Sequence, residues 1–477
     1  MLTSTILRLI NAVLLLVVLA RFWGPETFGI FMYPFTLAAI IVILVDYGFN
    51  LQLVRDVGKN TQDHHRLTCQ ALTIKTLLTS VVIVLGLPLI MLVKSLEGYR
   101  LLLVLFLFSN ILNSYGLLFN LSFRGIGLFN KEVKTVFWST MASLLLIGCL
   151  ILFGQGPEVI ALGLVISKAF FVRYSWIVYQ RIIGGAKFIY PPLSAMFAAL
   201  RKGFPFAAHV ALGTLYFLVD TVIIQHFLGA KNVGIYQAGL RVMIGGLILA
   251  DVLANVYLSR MAKESADRDA LINLATRMTR HFLIVGVFGF VCMIGFSELV
   301  VKLIYGGSGY SKVIPLIPLF GVVLLLRYMG SSYGIVLTVD NRQFVRMVAV
   351  GLSAIVSITM NIVLIPTFDL HGALYASIIT HIFLIGIYIF FAWRQVHSWL
   401  MERRSWLLIS IAVATGLFQL FIFPDHNIVS YTVMAGAILF IGFIGMSLTE
   451  CHNLLRRFYN YASSIFGDKD SAYDHDR

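Results

Sequence analysis

Residues 21–55 and 226–260 are two copies of one segment, offset by 205 positions without a gap. Ten of the 35 positions are identical, among them Gly24/Gly229, Gly29/Gly234, Asp46/Asp251, Asn50/Asn255 and Arg55/Arg260. The surrounding chain is 59% hydrophobic and only 12% charged, half the roughly 25% of an ordinary soluble domain. Apolar stretches of about 20 residues recur from end to end, the length a helix needs to cross a bilayer. No strand alternation or regular turn signal suggests a barrel. A repeat in such a chain implies two homologous helical bundles side by side, an arrangement many secondary transporters use to place cargo between halves.

The hydropathy pattern predicts fourteen spans, from 2–23 and 32–53 at the start to 405–423 and 428–448 at the end. The expected fold is an all-α integral membrane bundle. Residues 1–180 form one six-helix lobe, 204–396 form its pseudo-twofold mate, and 397–450 add two further helices. A linker, 181–203, carries an amphipathic run, Leu193–Leu200, suited to lie along headgroups, and 451–477 form a tail. Six spans per lobe is even, so the two lobes share one orientation. Of the 36 lysines and arginines, 24 fall on the N-terminal side of this map, six on the other and six within spans. The positive-inside rule then puts both termini in the cytoplasm. The net charge of +14 is orientation signal and contact with anionic headgroups rather than a nucleic-acid surface.

The four cysteines have neither disulfide nor metal spacing, and no cofactor is expected. No Gly-rich loop ending in Gly-Lys-Ser/Thr is present, so the chain carries no nucleotide-hydrolysing site of that type. The outer loops are short and hold only scattered residues such as Glu26, Glu97 and Asp425. A membrane-embedded glycan polymerase or ligase would want one large catalytic outer loop, so the expectation is not an enzyme.

The repeated turn reads Phe22-Trp23-Gly24-Pro25-Glu26-Thr27-Phe28-Gly29 in one lobe and Phe227-Leu228-Gly229-Ala230-Lys231-Asn232-Val233-Gly234 in the other. Glycine at both ends would let the chain reverse tightly at headgroup level. Preceded by Arg21, the first copy resembles the polysaccharide transporter family, the Wzx-type O-antigen and exopolysaccharide repeat-unit flippases. Their superfamily also holds the lipid II flippases and the multidrug and toxin extruders. A second match is the basic turn Phe129-Asn130-Lys131, repeated as Asp340-Asn341-Arg342 at an offset of 211. The resemblance implies the same two-lobe fold and a location in the bacterial inner membrane. It also implies a polyprenyl-pyrophosphate-linked glycan as cargo, passed to the outer leaflet through a central cavity by alternating access. Coupling to protons or sodium, and a complex with a polysaccharide polymerase and chain-length regulator, are further family-level expectations.

A pyrophosphate-linked sugar needs cations, hydrogen-bonding groups and aromatic faces in a cavity between the lobes. Arg241, Arg327 and Lys168 lie deep in spans and are the leading substrate-binding candidates, followed by Arg173 and Arg8 nearer to span ends. Lys75 and Arg8 sit close enough to the cytoplasmic end to snorkel. Asp220 is either a coupling-ion position or the salt-bridge partner of Arg241 on the next helix. Asp46 and Asp251, each followed at i+4 by Asn50 or Asn255, present carboxylate and amide on one helical face, with Arg55 and Arg260 at the exit. These six form an inner gate if they pair across the lobes, or a helix-end polar network if they pair within one. The interior therefore holds six cations against Asp46, Asp220 and Asp251. That balance favours an anionic cargo over the cationic drugs of an exporter, while a lipid II flippase is a close alternative.

Overall fold

The computed structural model describes residues 2–48, 63–185, 193–263, 267–306, 309–340, 342–400 and 403–421, with isolated positions at 53, 57, 434, 436 and 437. Asn50, Arg55, the span expected at 428–448 and the tail lie outside the described residues. Among those described there is no strand. A chain in hydrocarbon must satisfy every backbone polar group itself, and a helix does so within one segment.

The N-terminal lobe is built from α1 (Leu2–Asp46), α2 (His64–Leu92), α3 (Arg100–Gly125), α4 (Phe129–Leu152) and α5 (Pro157–Ile182). The C-terminal lobe has α6 (Leu193–Leu228), α7 (Ala230–Lys263), α8 (Arg268–Gly295), the short α9 (Ser297–Tyr305), α10 (Ile317–Val339) and α11 (Gln343–Leu400). Helix α12 (Arg403–Phe421) follows and packs on α8. Among the described residues ten helical segments are long and apolar enough to cross a membrane. Two of them, in α1 and α11, run for 40 and 51 residues, enough for two crossings each at about 20 residues per crossing. Leu92 and Leu152 remain 76% and 82% exposed on the outer surface, which suits lipid and not water.

Local chemistry sets the breaks. In α1 the helix is interrupted only at Gly24 (φ 76°, ψ 174°), after which Pro25 opens the second arm. Its repeat mate Gly229 (φ 79°) separates α6 from α7 in the same way. The reversal thus takes one residue at each site, where the sequence suggested a loop of several. Gly29 and Gly234 have a different role from the one expected of them. A Cβ on Gly29 would collide with the carbonyl of Ala230, and a Cβ on Gly234 with the carbonyl of Pro25. Pro25 and Ala230 are themselves repeat mates. The two contacts are therefore one contact related by pseudosymmetry, and they hold α1 against α7.

Helix α1 carries the interface between lobes, packing on α6, α7 and α9. Tyr310, fully buried, donates its hydroxyl to the Ala20 carbonyl at 2.8 Å, Arg21 donates to the Leu303 carbonyl at 3.2 Å, and Gln225 donates to the Tyr99 hydroxyl at 3.0 Å. These bonds gather near the Gly24/Gly229 end, so that end of the bundle is closed. In α11 the break falls at Asp369 (φ 51°, ψ −134°). The amphipathic run expected as a separate surface segment is the start of the continuous 36-residue α6. Asp267 caps α8, accepting from the Asp269 and Ala270 amides at 3.0 and 3.1 Å.

Candidate functional site

The charges expected within spans do not form one central cluster. Near the N-terminal end of α1, Glu132 is completely buried. Its carboxylate accepts from Ser4 and Arg8, each at 2.9 Å, and from both Arg124 nitrogens that face it. One anion thus ties the starts of α1 and α4 to the end of α3. The sequence puts Arg8 within snorkelling reach of the cytoplasmic end; its guanidinium is instead held inside the lobe by this carboxylate.

Asp46 ends α1 and meets Lys75 of α2 at 2.9 Å. Lys75 is fully buried, donates also to the Ser114 carbonyl at 3.1 Å, and lies 5.8 Å from the Tyr115 ring centre. The Ser114 hydroxyl donates to Asp46 as well. Lys75 therefore does not snorkel, and Asp46 pairs within its own lobe. Its repeat mate Asp251 is exposed, its backbone carbonyl accepting from Asn255 at 2.7 Å. Arg260 is exposed at the end of α7. The two aspartates share sequence context and not environment, and neither makes an ion pair across the lobes among the described residues, which do not include Asn50 and Arg55.

Between α1, α3, α4 and α5 lies a cavity of about 290 Å³. Its wall repeats helical spacing on each element: Arg8, Asn11, Ala12 and Leu15 on α1; Asn110, Asn113 and Leu117 on α3; Val136, Ser139, Thr140 and Ser143 on α4; Leu164, Ser167, Lys168 and Phe171 on α5. With Ser109, eight neutral hydroxyl or amide residues face it, together with two cations and no carboxylate. Asn11 Oδ1, Asn110 Nδ2 and Ser139 Oγ are buried without a protein hydrogen-bond partner. Lys168 has neither ion pair nor hydrogen bond among the described residues. Unsatisfied polar groups are costly at membrane depth, so a wall like this matches a ligand rich in hydroxyls. Phe35 and Phe171 add ring faces.

In the C-terminal lobe a second, water-sized space of about 10 Å³ lies among Tyr216, Asp220, Tyr236, Arg327 and His381. Asp220 accepts from the Tyr236 hydroxyl at 2.7 Å and from Asn361 Nδ2 at 2.9 Å. Arg327 lies over the Phe217 ring at 4.3 Å from its centre and leaves Nη1 without a partner. The His381 ring lies tilted against Tyr216, with ring centres 5.1 Å apart. Arg241 is not the partner of Asp220: it donates to Gln237 at 2.6 Å, and Gln237 donates to Thr221 at 2.7 Å. Arg173 lies exposed on α5, 4.9 Å over Trp176, away from both spaces.

Sequence reasoning thus found Arg8, Lys168, Asp220 and Arg327 but assigned them to one cavity; they occupy two, one in each lobe. It missed Glu132, Asn361 and His381, and the polar wall of the first cavity. That wall did leave a signal, since Ser139 and Ser143, or Asn110 and Asn113, fall on single faces of otherwise apolar helices.

These features define a multi-pass, all-α membrane protein of two related lobes, each with a buried polar site. Residues 1–250 match the family described as polysaccharide biosynthesis protein. That is more than half the chain, and the protein belongs to this family. The capsular polysaccharide biosynthesis protein CapF of Staphylococcus aureus is 24% identical over 193 residues, covering 39% of this chain and 48% of that protein. The chain spans about half the length of that curated relative. Among solved structures, the lipid II flippase MurJ in an inward closed conformation superposes with a TM-score of 0.69 at 15% identity, over 94% of this chain and 98% of MurJ. A multidrug resistance MATE family transporter of the MOP superfamily, inward-facing, gives 0.66 at 13% identity, over 84% and 96%. At such identities the likeness is one of fold.

Proposed function

We propose that this protein is a flippase that carries polyprenyl-pyrophosphate-linked oligosaccharide repeat units from the cytoplasmic to the outer leaflet of the bacterial inner membrane. The observation that carries this reading is the N-terminal cavity, which combines eight hydroxyl or amide residues with two cations inside membrane-length helices. Sugar hydroxyls pair with such groups, and the cations favour a cargo that carries an anionic group. Membership of a polysaccharide biosynthesis family supports the same cargo class. The contacts at the Gly24/Gly229 end suit one state of an alternating-access cycle, with that end shut. Asp220, buried beside a water-sized space, is the candidate position for a coupling proton or cation. Nothing in this reading calls for catalysis by the chain.

The test is deletion of the gene, extraction of lipid-linked glycans and a stain for surface polysaccharide. Loss of the surface polymer, with complete lipid-linked repeat units accumulating in the inner leaflet, is the expected result. Unchanged glycans with altered sensitivity to cationic dyes would overturn it in favour of an exporter. Accumulation of the peptidoglycan precursor would favour the lipid II cargo named for the MurJ fold relative.

A further inference from the structure

We infer that the cavity of the N-terminal lobe receives a sugar residue bearing one carboxylate, with Lys168 as its counter-ion. The inference rests on the flippase reading and narrows its cargo. Two cations line the cavity, but they are not equivalent. Arg8 places one guanidinium nitrogen on Glu132 at 2.9 Å, an anion it shares with Arg124, whereas Lys168, midway along α5, has no ion pair or hydrogen bond among the described residues. Lys168 is therefore the cation of this wall with no anion of its own among the described residues, beside groups that otherwise offer neutral donors and acceptors. A cation left alone at that depth is held at a cost, which an incoming anion offsets.

The number of open positions sets the ligand class. A pyrophosphate carries at least two negative charges and is best held by arginine forks. The one fork here, Arg8, already has a nitrogen on Glu132, and a pyrophosphate, which offers only acceptor oxygens, would leave Asn11 Oδ1 without the donor it needs. A neutral sugar would satisfy Asn11 Oδ1, Asn110 Nδ2 and Ser139 Oγ, which are unpartnered, but would leave Lys168 alone. A uronic-acid residue satisfies both sets, its hydroxyls meeting the amides and serine and its carboxylate meeting the ammonium. The pyrophosphate then lies outside this cavity, along the passage.

The experiment titrates methyl β-glucuronide, methyl β-glucoside and inorganic pyrophosphate into the full-length protein in lipid nanodiscs, read by saturation-transfer NMR. Glucuronide should bind about tenfold more tightly than glucoside, the size of one charge-assisted hydrogen bond. Lys168→Gln should erase that preference and Lys168→Arg should keep it. Thermal melting of Lys168→Gln should match or exceed that of the parent, because an unpaired, half-buried cation has been removed; a lower melting point would show a structural partner and overturn the assignment. Equal binding of the two sugars, or binding of neither by protein that melts cooperatively, would also overturn it. So would pyrophosphate displacing glucuronide with the same dependence on Lys168, since the cavity would then be a phosphate site. Each of these failures leaves the flippase reading standing, which falls only on the glycan phenotype of the deletion.

Discussion

At the scale of single residues, partners decide meaning. Lys75 and Asp46 stand 29 positions apart, and neither betrays the other in the sequence. The repeat marks Asp46 as half of a pair with Asp251, yet its working partner is a lysine of its own lobe. Removing one member of a buried pair strands the other. Lys75→Met and Asp46→Asn should therefore each destabilise the protein, and the double variant should lose less than their sum by about 2 kcal/mol. A double-mutant cycle of detergent-solubilised melting checks this, and strict additivity would refute the pairing. Glu132 is the sharper case, because two arginines converge on its fully buried carboxylate. Glu132→Gln should cost about 3 kcal/mol, since it leaves two cations without their anion. An unchanged melting point would mean that Arg8 and Arg124 find their charge partner elsewhere.

Among elements, the repeat is a statement about packing. Gly24 and Gly229 turn the chain at positive φ, the role that glycine signals in any sequence. Gly29 and Gly234 were legible only as glycines. That each admits a carbonyl of the other lobe depends on how α1 and α7 cross, which no local pattern encodes. Gly29→Ala forces a methyl against the Ala230 carbonyl, and overpacking of this kind costs about 1–3 kcal/mol. The cost bears on the closed arrangement of that end. Spin labels at positions 26 and 231 should show longer distances in Gly29→Ala than in the parent. An unaltered distance distribution would mean that the helices already part at this point.

For the whole molecule, charge asymmetry predicts an orientation that is open to direct test. In a cysteine-free background, Gly98→Cys should react with an impermeant thiol reagent applied outside intact cells. Ser194→Cys should react only after permeabilisation. Both positions are exposed, so the reverse pattern would invert the topology. A bundle that hides polar sites inside its lobes also explains why its charges read ambiguously in one dimension. Six cations in spans suggest one electropositive lumen, but Lys75 and Arg8 are held by carboxylates, Arg241 is bonded to Gln237, Arg173 lies outside, and Lys168 and Arg327 lie in separate lobes.

The sequence by itself determined the class of fold. Hydrocarbon admits few backbone solutions, so twenty-residue apolar runs dictate helices, and a 205-residue offset dictates two related lobes. It also located the turn glycines and the deep charges. Only the tertiary structure decided which charges are neutralised and which stay open, because ion pairing is settled by distances of a few ångströms between segments far apart in the chain. Glu132 reaches Arg8 across 124 positions, while Lys168 meets no anion among the described residues.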